Sequence, residues 1–439
     1  MAFHPRSRSG LILAFSVLVC CGSGEADSNG PLSPPASAGG PASAGRPGSA
    51  GSGASGAAGH DTRPMGGGAA NSAGASTGSG NTQNAGGAQL AAGAAGALGI
   101  DTVPLVYVGS TNGQISIFTL DAALGKLTLV KSVTAGNYPS FMAFDPSYAH
   151  LYAVNESDAM LAAFSVDPKT GDLAFLNRVE SGGGAPAYVS VDHSGKYVLV
   201  ANYDGGTTRV FPIGTDGSLK AASDDKSPGM NSHMILTDPT NKFAFVTNKG
   251  SDTITQYVFD ASNGTLMPNA SPSIMTAAGA GPRHLAFHPN GKYAYVISET
   301  NDTLAAYAYD SSLGQLAFLE SKSTLPAGTN GASNTCAEVV VAPSGKFVYG
   351  SNRGHDSIAR FSIDTDTGKL TFIDTTPSGG NVPRSFTLSA DGELMLVANE
   401  SGNVTSFAVN TSSGELTKLL SVDVPQKPQF VGIASLPLK

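Results

Sequence analysis

Two positions in a repeated pattern hold the side chains that could do chemistry. Each repeat contains two short apolar segments in succession. The first position comes directly after the first residue of the first segment, and the second position comes directly after the last residue of the second segment. Arg283 and Glu299, sixteen residues apart, are one such pair. His233 and Arg353 occupy the same positions in neighbouring repeats. A carboxylate or imidazole can act as general acid or base, and a guanidinium can hold an anion or stabilise an oxyanion. These four are the predicted catalytic residues, and they suit acyl chemistry on an anionic substrate.

Two other interpretations of these residues stay open. Ion pairs in a polar channel can be purely structural, and the same groups could hold a ligand or a partner without turning it over. An enzyme needs a base, an anion clamp and room for water around one point. The elements that position the four residues therefore decide whether they can act together.

Seven copies of one unit carry these positions. A Gly-Xaa-Leu signature recurs at spacings of 46, 46, 47, 50, 54 and 46 residues. Its glycines are Gly125, Gly171, Gly217, Gly264, Gly314, Gly368 and Gly414. In six copies an Asp or Asn stands four residues earlier, which is typical of a hairpin turn whose glycine takes a positive φ. Four short strands per unit, without helical periodicity, predict the blades of a β-propeller.

The two ends of the repeat region complement each other. The first unit has its second, third and fourth strands but lacks the first, and residues 428–436 form a lone first strand at the end of the chain. We therefore predict an all-β, seven-bladed β-propeller with four-stranded blades, closed by the C-terminal strand completing the first blade. Such closure leaves no open edge between the first and last blades.

The first two strands of each blade are antiparallel, so the start of one and the end of the other lie at the same mouth of the central channel. The predicted catalytic residues come from three consecutive blades and should meet there. Tyr188 and Tyr203 occupy the corresponding positions of the third blade and are predicted to bind substrate.

The N-terminal region predicts an exported protein. Arg6 and Arg8 precede an apolar run over residues 11–19, which is too short to span a bilayer but typical of a secretory signal. The run ends in Cys20-Cys21-Gly22, which resembles the bacterial lipobox. We interpret Cys21 as the lipidated residue, with Cys20 or an ordinary cleaved signal as the alternatives.

These features divide the chain into three parts. Residues 1–21 are predicted to be a lipoprotein-type signal peptide, residues 22–100 a disordered Gly/Ala/Ser-rich linker, and residues 101–439 the folded domain. The protein is then expected in the bacterial cell envelope, anchored by its lipid to the outer membrane or exposed in the periplasm or at the surface.

Composition narrows the possible partners. The formal net charge of −8 and the absence of a basic run argue against nucleic acid. Cys336 stands alone in the folded part and is expected to be a core residue, so a cysteine metal cluster is excluded there. We expect no cofactor and no metal, a small-molecule ligand, contact with the membrane only through the lipid anchor, and a monomer.

Residues 281–296 and 351–358, with shorter stretches at 201–206 and 337–341, resemble the lactonase family of seven-bladed propellers. That family includes 6-phosphogluconolactonase and carboxy-cis,cis-muconate cyclase, and the resemblance covers residues 105–438. It implies opening or closure of a lactone ring without a required metal. The family's His, two Arg and Glu match the predicted catalytic residues. The resemblance also implies that the pocket is lined by His284, Glu338, His355 and Arg384.

The sequence departs from the family at two pocket positions. Tyr188 and Ser385 stand where relatives often carry histidine, so the substrate is not settled by the resemblance. An exported protein would meet an extracytoplasmic sugar or aromatic-acid lactone. The sequence thus indicates a lactone hydrolase of the 6-phosphogluconolactonase-like type. The alternatives are a non-catalytic binding propeller on the cell envelope and a lactone-forming cycloisomerase.

Overall fold

The computed structural model describes residues 102–437, which form seven four-stranded antiparallel sheets. The predicted signal peptide (1–21) with Cys21, and the predicted linker (22–100), lie outside the described residues. No helix in the described region is both long and apolar enough to cross a membrane.

The strands follow one another as the repeats predict, with two 3-10 helices at Glu156–Asp158 and Lys249–Ser251. Blades one to three contain β1 (Thr102–Ser110), β2 (Gln114–Asp121), β3 (Lys126–Thr134), β4 (Met142–Phe144), β5 (His150–Asn155), β6 (Met160–Val166), β7 (Leu173–Glu180), β8 (Pro186–Val191), β9 (Tyr197–Asn202), β10 (Thr207–Pro212) and β11 (Asp224–Lys226). Blades four and five contain β12 (Ser232–Thr237), β13 (Phe243–Asn248), β14 (Thr253–Asp260), β15 (Thr265–Met275), β16 (Pro282–Phe287), β17 (Tyr293–Ser298), β18 (Thr303–Asp310) and β19 (Gln315–Ser323). Blades six and seven contain β20 (Thr335–Val341), β21 (Phe347–Arg353), β22 (Ser357–Ile363), β23 (Leu370–Pro377), β24 (Pro383–Leu388), β25 (Leu394–Asn399), β26 (Asn403–Val409) and β27 (Leu416–Asp423), and the last strand is β28 (Pro428–Pro437).

The chain closes at its C-terminus. β28 pairs antiparallel with β1, with Val106 opposite Ile433, and supplies the innermost strand of the first blade. The predicted seven-bladed propeller and its mode of closure are therefore confirmed. The inner faces of the blades are apolar and pack on one another, so the core lies between blades.

A fully buried asparagine is the last or next-to-last residue of the second strand in five blades. Asn352 is representative, because its amide nitrogen donates to the Thr324 carbonyl at 3.0 Å and to Ser357 Oγ at 3.2 Å. Its amide oxygen accepts from Thr324 Oγ1 at 2.7 Å. A short side chain thus ties neighbouring strands together and fixes the backbone next to Arg353, the last residue of β21.

The Gly-Xaa-Leu turns also join neighbouring blades, a role that the sequence did not reveal. The Tyr295 hydroxyl of blade five donates to the Gly368 carbonyl of blade six at 3.1 Å. In the same way, the Tyr349 hydroxyl of blade six donates to the Gly414 carbonyl of blade seven at 2.7 Å. The ring of Tyr293 lies where a β-carbon on Gly368 would be, 2.3 Å from the nearest ring atom. The glycine therefore makes the turn and also leaves room for the adjacent blade.

Replacing Gly368 by alanine is expected to destabilise the protein by about 2 kcal/mol more than replacing Gly291. Both glycines have nearly the same positive φ, 71° and 69°. Gly291 faces open space within 4 Å, so the Gly291→Ala variant reports the conformational cost alone. Urea unfolding midpoints measure the difference. Equal shifts in the two variants would show that the contact between blades carries no weight.

Candidate active site

A β-bulge at the entrance of five blades turns the predicted site residues into the channel. The sixteen-residue spacing corresponds to cross-strand pairs, which are Pro186 with Asn202, Ser232 with Asn248, Pro282 with Ser298, Cys336 with Asn352 and Pro383 with Asn399. The register shifts directly after each pair. A bulge places an extra residue on one strand and re-aims its side chain. His233, Arg283 and Arg384 are the extra residues of blades four, five and seven.

The carboxylate of Glu299 lies among three cations. Lys249 Nζ and Arg353 Nη2 are 2.7 and 3.3 Å from Oε1, and Arg283 Nε is 3.1 Å from Oε2. Burial alone would raise the pKa of Glu299, but Arg283, Arg353 and Lys249 outweigh it and lower the pKa to about 2. The group is therefore a carboxylate at neutral pH. One negative charge faces three positive ones, so this side of the mouth attracts anions.

Arg283 is held from the neighbouring blade. Its Nη1 donates to the Ala337 carbonyl at 2.6 Å, and its side chain is only 3% exposed. Burial, followed by repulsion from Arg353, lowers the pKa of this guanidinium to about 9, so it stays protonated at pH 7. Because the charge is fixed in place before any ligand arrives, it can stabilise negative charge without reorganising.

His284 and Glu338 form a buried pair below the cations. His284 Nδ1 lies 2.8 Å from Glu338 Oε1, and its Nε2 lies 3.4 Å from Arg283 Nη1. Burial lowers the pKa of His284, and the charge of Arg283 lowers it further although Glu338 opposes this. A neutral imidazole that donates from Nδ1 and accepts at Nε2 satisfies both contacts. His284 thus links Arg283 to Glu338.

His233 is held by ring contacts, and one of its ring nitrogens makes no hydrogen bond to the described residues. Its Nδ1 is buried and has no hydrogen-bond partner among the described residues. Its ring contacts those of His284 and Tyr203, with centroids 5.2 and 5.6 Å apart. Burial, and then the charges of Arg283 and its neighbours, hold the pKa of His233 well below its usual range. The imidazole is therefore neutral at pH 7 and able to accept a proton.

Arg384 belongs to a second cluster on the same mouth. Its guanidinium lies 3.5 Å from Glu156 and 3.8 Å from Glu400, which come from blades two and seven. Tyr138 and Gln429 lie beside it and share a 2.8 Å hydrogen bond. Positive and negative charge are more evenly matched here than around Glu299, so the excess of positive charge lies on the other side.

The remaining predicted residues take up different places. Tyr188 is buried, stacks on Phe141 with centroids 4.1 Å apart, and meets His284 edge-on. Tyr203 accepts a 3.2 Å hydrogen bond from Lys249 at the rim. His355 is exposed on the turn after β21, where its Nδ1 lies 2.7 Å from Ser357 Oγ. His355 therefore lies outside the Glu299 cluster.

Lys249 was not among the predicted site residues. It stands sixteen residues after His233 and directly after Asn248, which is the position that Glu299 and Arg353 hold in their own blades. The repeat places it at the same channel mouth, but the spacing alone gave no reason to choose it as a site residue. Its amine reaches Glu299 across a blade boundary, and a contact between blades is invisible to the spacing within one blade.

Cys336 is buried in the core as expected, and burial raises the pKa of its thiol to about 12. A thiol of that pKa is a poor nucleophile at neutral pH. Among residues 102–437, no group of three or more His, Cys, Asp or Glu side chains is arranged to hold a metal ion.

Asp252 holds the backbone of the segment that leads into β16, the strand that carries Arg283. Its carboxylate accepts hydrogen bonds from the backbone of Gly279 at 2.7 Å and of Gly281 at 2.8 Å. The carbonyl of Gly281 in turn accepts from the backbone N–H of Glu299 at 2.7 Å. One aspartate thus fixes the backbone on both sides of the Arg283–Glu299 contact.

Asp252→Ala is expected to lower kcat for the reaction at this site about tenfold with little change in KM, because small misplacements of catalytic groups slow reactions strongly. Asp252→Asn keeps a side-chain oxygen and should recover part of the loss. Asp310→Ala is the control, because Asp310 also caps a turn but lies at the opposite end of its blade. If both alanine variants lose turnover equally, Asp252 has no positioning role.

Fold and site together define a class of protein. The closed seven-bladed propeller brings imidazole, carboxylate and guanidinium groups to one mouth of its channel. This combination defines a propeller enzyme with acid–base and anion-binding groups. The chain belongs to the family described as lactonase, 7-bladed β-propeller, whose model matches residues 105–432.

Individual relatives agree with this family. The chain is 34% identical over 331 residues to the 6-phosphogluconolactonase of Bacillus subtilis (strain 168), covering 72% of this chain and 93% of the relative. It is 31% identical over 360 residues to that of Formosa agariphila, covering 75% and 98%. The solved structure of the periplasmic gluconolactonase of Pseudomonas aeruginosa matches with a TM-score of 0.71 at 25% identity, covering 76% of this chain and all of the other.

Proposed function

We propose that this protein is a hydrolase that opens a sugar or carboxylated lactone at the mouth of the propeller channel. The observation that carries the proposal is the neutral imidazole of His233, which is 6% exposed and makes no ion pair among residues 102–437, next to a cluster with an excess of positive charge. Lactone hydrolysis needs a proton acceptor and a place for negative charge, and these groups supply both. The relatives named 6-phosphogluconolactonase and gluconolactonase support the choice of lactones.

In the proposed mechanism, His233 accepts a proton from water as the water oxygen attacks the lactone carbonyl carbon. Arg283 and Arg353 stabilise the oxyanion that forms. Collapse of the tetrahedral intermediate restores the C=O bond and breaks the bond to the ring oxygen, which takes the proton back from His233. The product is an open hydroxy acid. The guanidinium groups supply the positive charge, so the scheme requires no metal.

Glu299 acts as a counter-ion in this scheme. Both of its carboxylate oxygens are in ion-pair contact with cations, namely Lys249 and Arg353 at Oε1 and Arg283 at Oε2. It holds Lys249, Arg283 and Arg353 together without cancelling their charge. The excess charge can bind a carboxylate or phosphate of the substrate, the oxyanion of the intermediate, and the carboxylate of the product.

The contacts of Glu299 bear on the alternatives. A Glu299 sealed in an ion pair with Arg353 would favour a binding protein. The two side chains are in contact, but they remain 13% and 14% exposed, so the pair faces the channel. A lactone-forming cycloisomerase would instead add a carboxylate oxygen to a C=C bond of a linear unsaturated acid and protonate the other carbon, with no water consumed or released, and the experiment below separates the two reactions.

The test is turnover by the purified protein in a pH-stat with gluconolactone, its 6-phosphate and muconolactone, each corrected for spontaneous hydrolysis. Acid release well above background on at least one lactone is the expected result. Ligand binding without acid release would instead identify a binding propeller. Net ring closure of cis,cis-muconate to muconolactone, supplied as a fourth substrate, would identify a cycloisomerase.

We also propose that the protein works outside the cytoplasm, lipid-anchored through Cys21. The support is the signal-like segment at residues 1–21 and the similarity to a periplasmic gluconolactonase. Labelling of the protein by radioactive palmitate in a bacterial host, and loss of the label in Cys21→Ser, would bear this out. Label retained in Cys21→Ser would direct attention to Cys20.

A further inference from the structure

A cleft of about 410 Å³ opens between blades three and four. Its walls come from the turn after β9, the link between the two blades and the turn after β13. The second strand of every blade ends at the channel mouth, so these turns lie on the face of the propeller that carries the candidate site.

The cleft adjoins the Glu299 cluster through two residues. Lys249 Nζ donates both to Glu299 at 2.7 Å and to the Tyr203 hydroxyl at 3.2 Å. Asp204, which lines the cleft, follows Tyr203 in the chain, and the carbonyl of the lining residue Asn231 accepts from the Lys249 backbone at 3.0 Å. The cleft and the Glu299 cluster are therefore neighbours on one face of the propeller, with the hydrogen-bonded side chains of Lys249 and Tyr203 between them.

The lining carries several polar side chains and no positively charged one, although most of its exposed area is apolar. Asp204, Ser227, Asn231 and Ser251 line the cleft, and no Lys or Arg is among its lining residues. The carboxylate of Asp204 is exposed and makes no hydrogen bond or ion pair with any residue of 102–437. A free carboxylate accepts hydrogen bonds from hydroxyl groups and repels phosphate. Met230, 64% exposed, offers an apolar surface to the C–H groups of a ligand.

We propose that this cleft is a subsite for an uncharged, polyhydroxylated part of the substrate, so that the enzyme prefers a neutral sugar lactone over its phosphorylated form. The inference rests on the proposed lactonase function. In a neutral sugar lactone the negative charge appears only at the reacting carbonyl, which is where the cations lie. The hydroxyl-bearing remainder then occupies the cleft, with Asp204 as its principal acceptor.

The test compares glucono-1,5-lactone with δ-valerolactone, which has the same ring without hydroxyl groups. In Asp204→Ala, KM for gluconolactone is expected to rise about tenfold, as for loss of a hydrogen bond to a charged group. For δ-valerolactone, kcat/KM should stay unchanged. Asp204→Lys should improve 6-phosphogluconolactone relative to gluconolactone. Asp216→Ala is the control, because Asp216 is an exposed aspartate at the opposite end of the same blade.

The outcomes separate the subsite from the proposed function. Wild-type turnover that Asp204→Ala leaves unchanged on both lactones, or lowers equally on both, overturns the subsite and leaves the lactonase standing. Absence of wild-type turnover overturns the lactonase, and the subsite is then judged by calorimetric binding of the hydrolysis-resistant glucono-1,5-lactam. Binding weakened at least about fivefold in Asp204→Ala supports the subsite. No binding, or equal binding by both proteins, overturns it.

Discussion

Glu299→Gln is expected to stop most lactone turnover and to destabilise the folded protein by about 3 kcal/mol at pH 7, the energy that corresponds to lowering the pKa of a buried carboxyl from 4.5 to about 2. Glutamine keeps the shape of the side chain but leaves Lys249, Arg283 and Arg353 without their counter-ion. The three cations then repel one another and lose their common geometry. We expect kcat/KM to fall about a hundredfold or more.

The stability loss should depend on pH in a defined direction. The carboxylate of Glu299 has a folded-state pKa below its unfolded value, so its contribution is complete above pH 4.5 and is lost as the pH falls through 2. The difference in unfolding free energy between wild type and Glu299→Gln should therefore shrink to about 1 kcal/mol at pH 3. Urea unfolding at pH 7 and pH 3 measures it.

Glu400→Gln is the matched stability control. Glu400 holds the same position in blade seven as Glu299 does in blade five, but its one ion-pair contact among the described residues is Arg384 at 3.8 Å. Its replacement should cost less than about 1 kcal/mol. Equal losses in the two variants, or a loss in Glu299→Gln that does not change with pH, would contradict the assigned role of the three cations.

Arg283→Ala is expected to lower kcat/KM by about a hundredfold to a thousandfold, the usual effect of removing a group that stabilises an oxyanion. Arg283→Lys should recover only part of this loss. A lysine keeps the charge but cannot reproduce the planar guanidinium that reaches both Glu299 and the Ala337 carbonyl. Steady-state kinetics of the three proteins on the best lactone of the panel provide the measurement.

The pH profile gives a second result for the same variants. The charge of Arg283 helps to keep the pKa of His233 well below 6.5, so the wild-type enzyme should stay active as the pH falls below 6.5. Removing that charge raises the pKa of His233. The residual activity of Arg283→Ala should then be lost at a higher pH on the acid side than in the wild type.

Arg360→Ala is the control for Arg283. Arg360 is also a buried arginine, paired with Asp374 at 2.6 Å, but it lies on β22, the third strand of blade six. Its loss should reduce stability and leave turnover per folded molecule unchanged. Turnover in Arg283→Ala within about threefold of the wild type would remove Arg283 from the mechanism.

Most of the architecture was predictable because it is local. A hairpin turn and the register of two adjacent strands depend on residues that are close in the chain. The sixteen-residue spacing therefore identified true cross-strand pairs such as Pro282 with Ser298. The position of Arg283 and Glu299 at one mouth followed from the same spacing, and the lone final strand correctly indicated the closure of the ring.

Only the tertiary structure decided how the site is assembled. The bulge after Pro282 turns both Arg283 and His284 inward, although a regular strand would send them to opposite faces. The pairing of His284 with Glu338, the contact of Lys249 with Glu299 and the cleft beside Tyr203 all cross from one blade to the next. Such contacts depend on how the twisted blades pack around the closed ring, and no spacing within a single repeat contains that information.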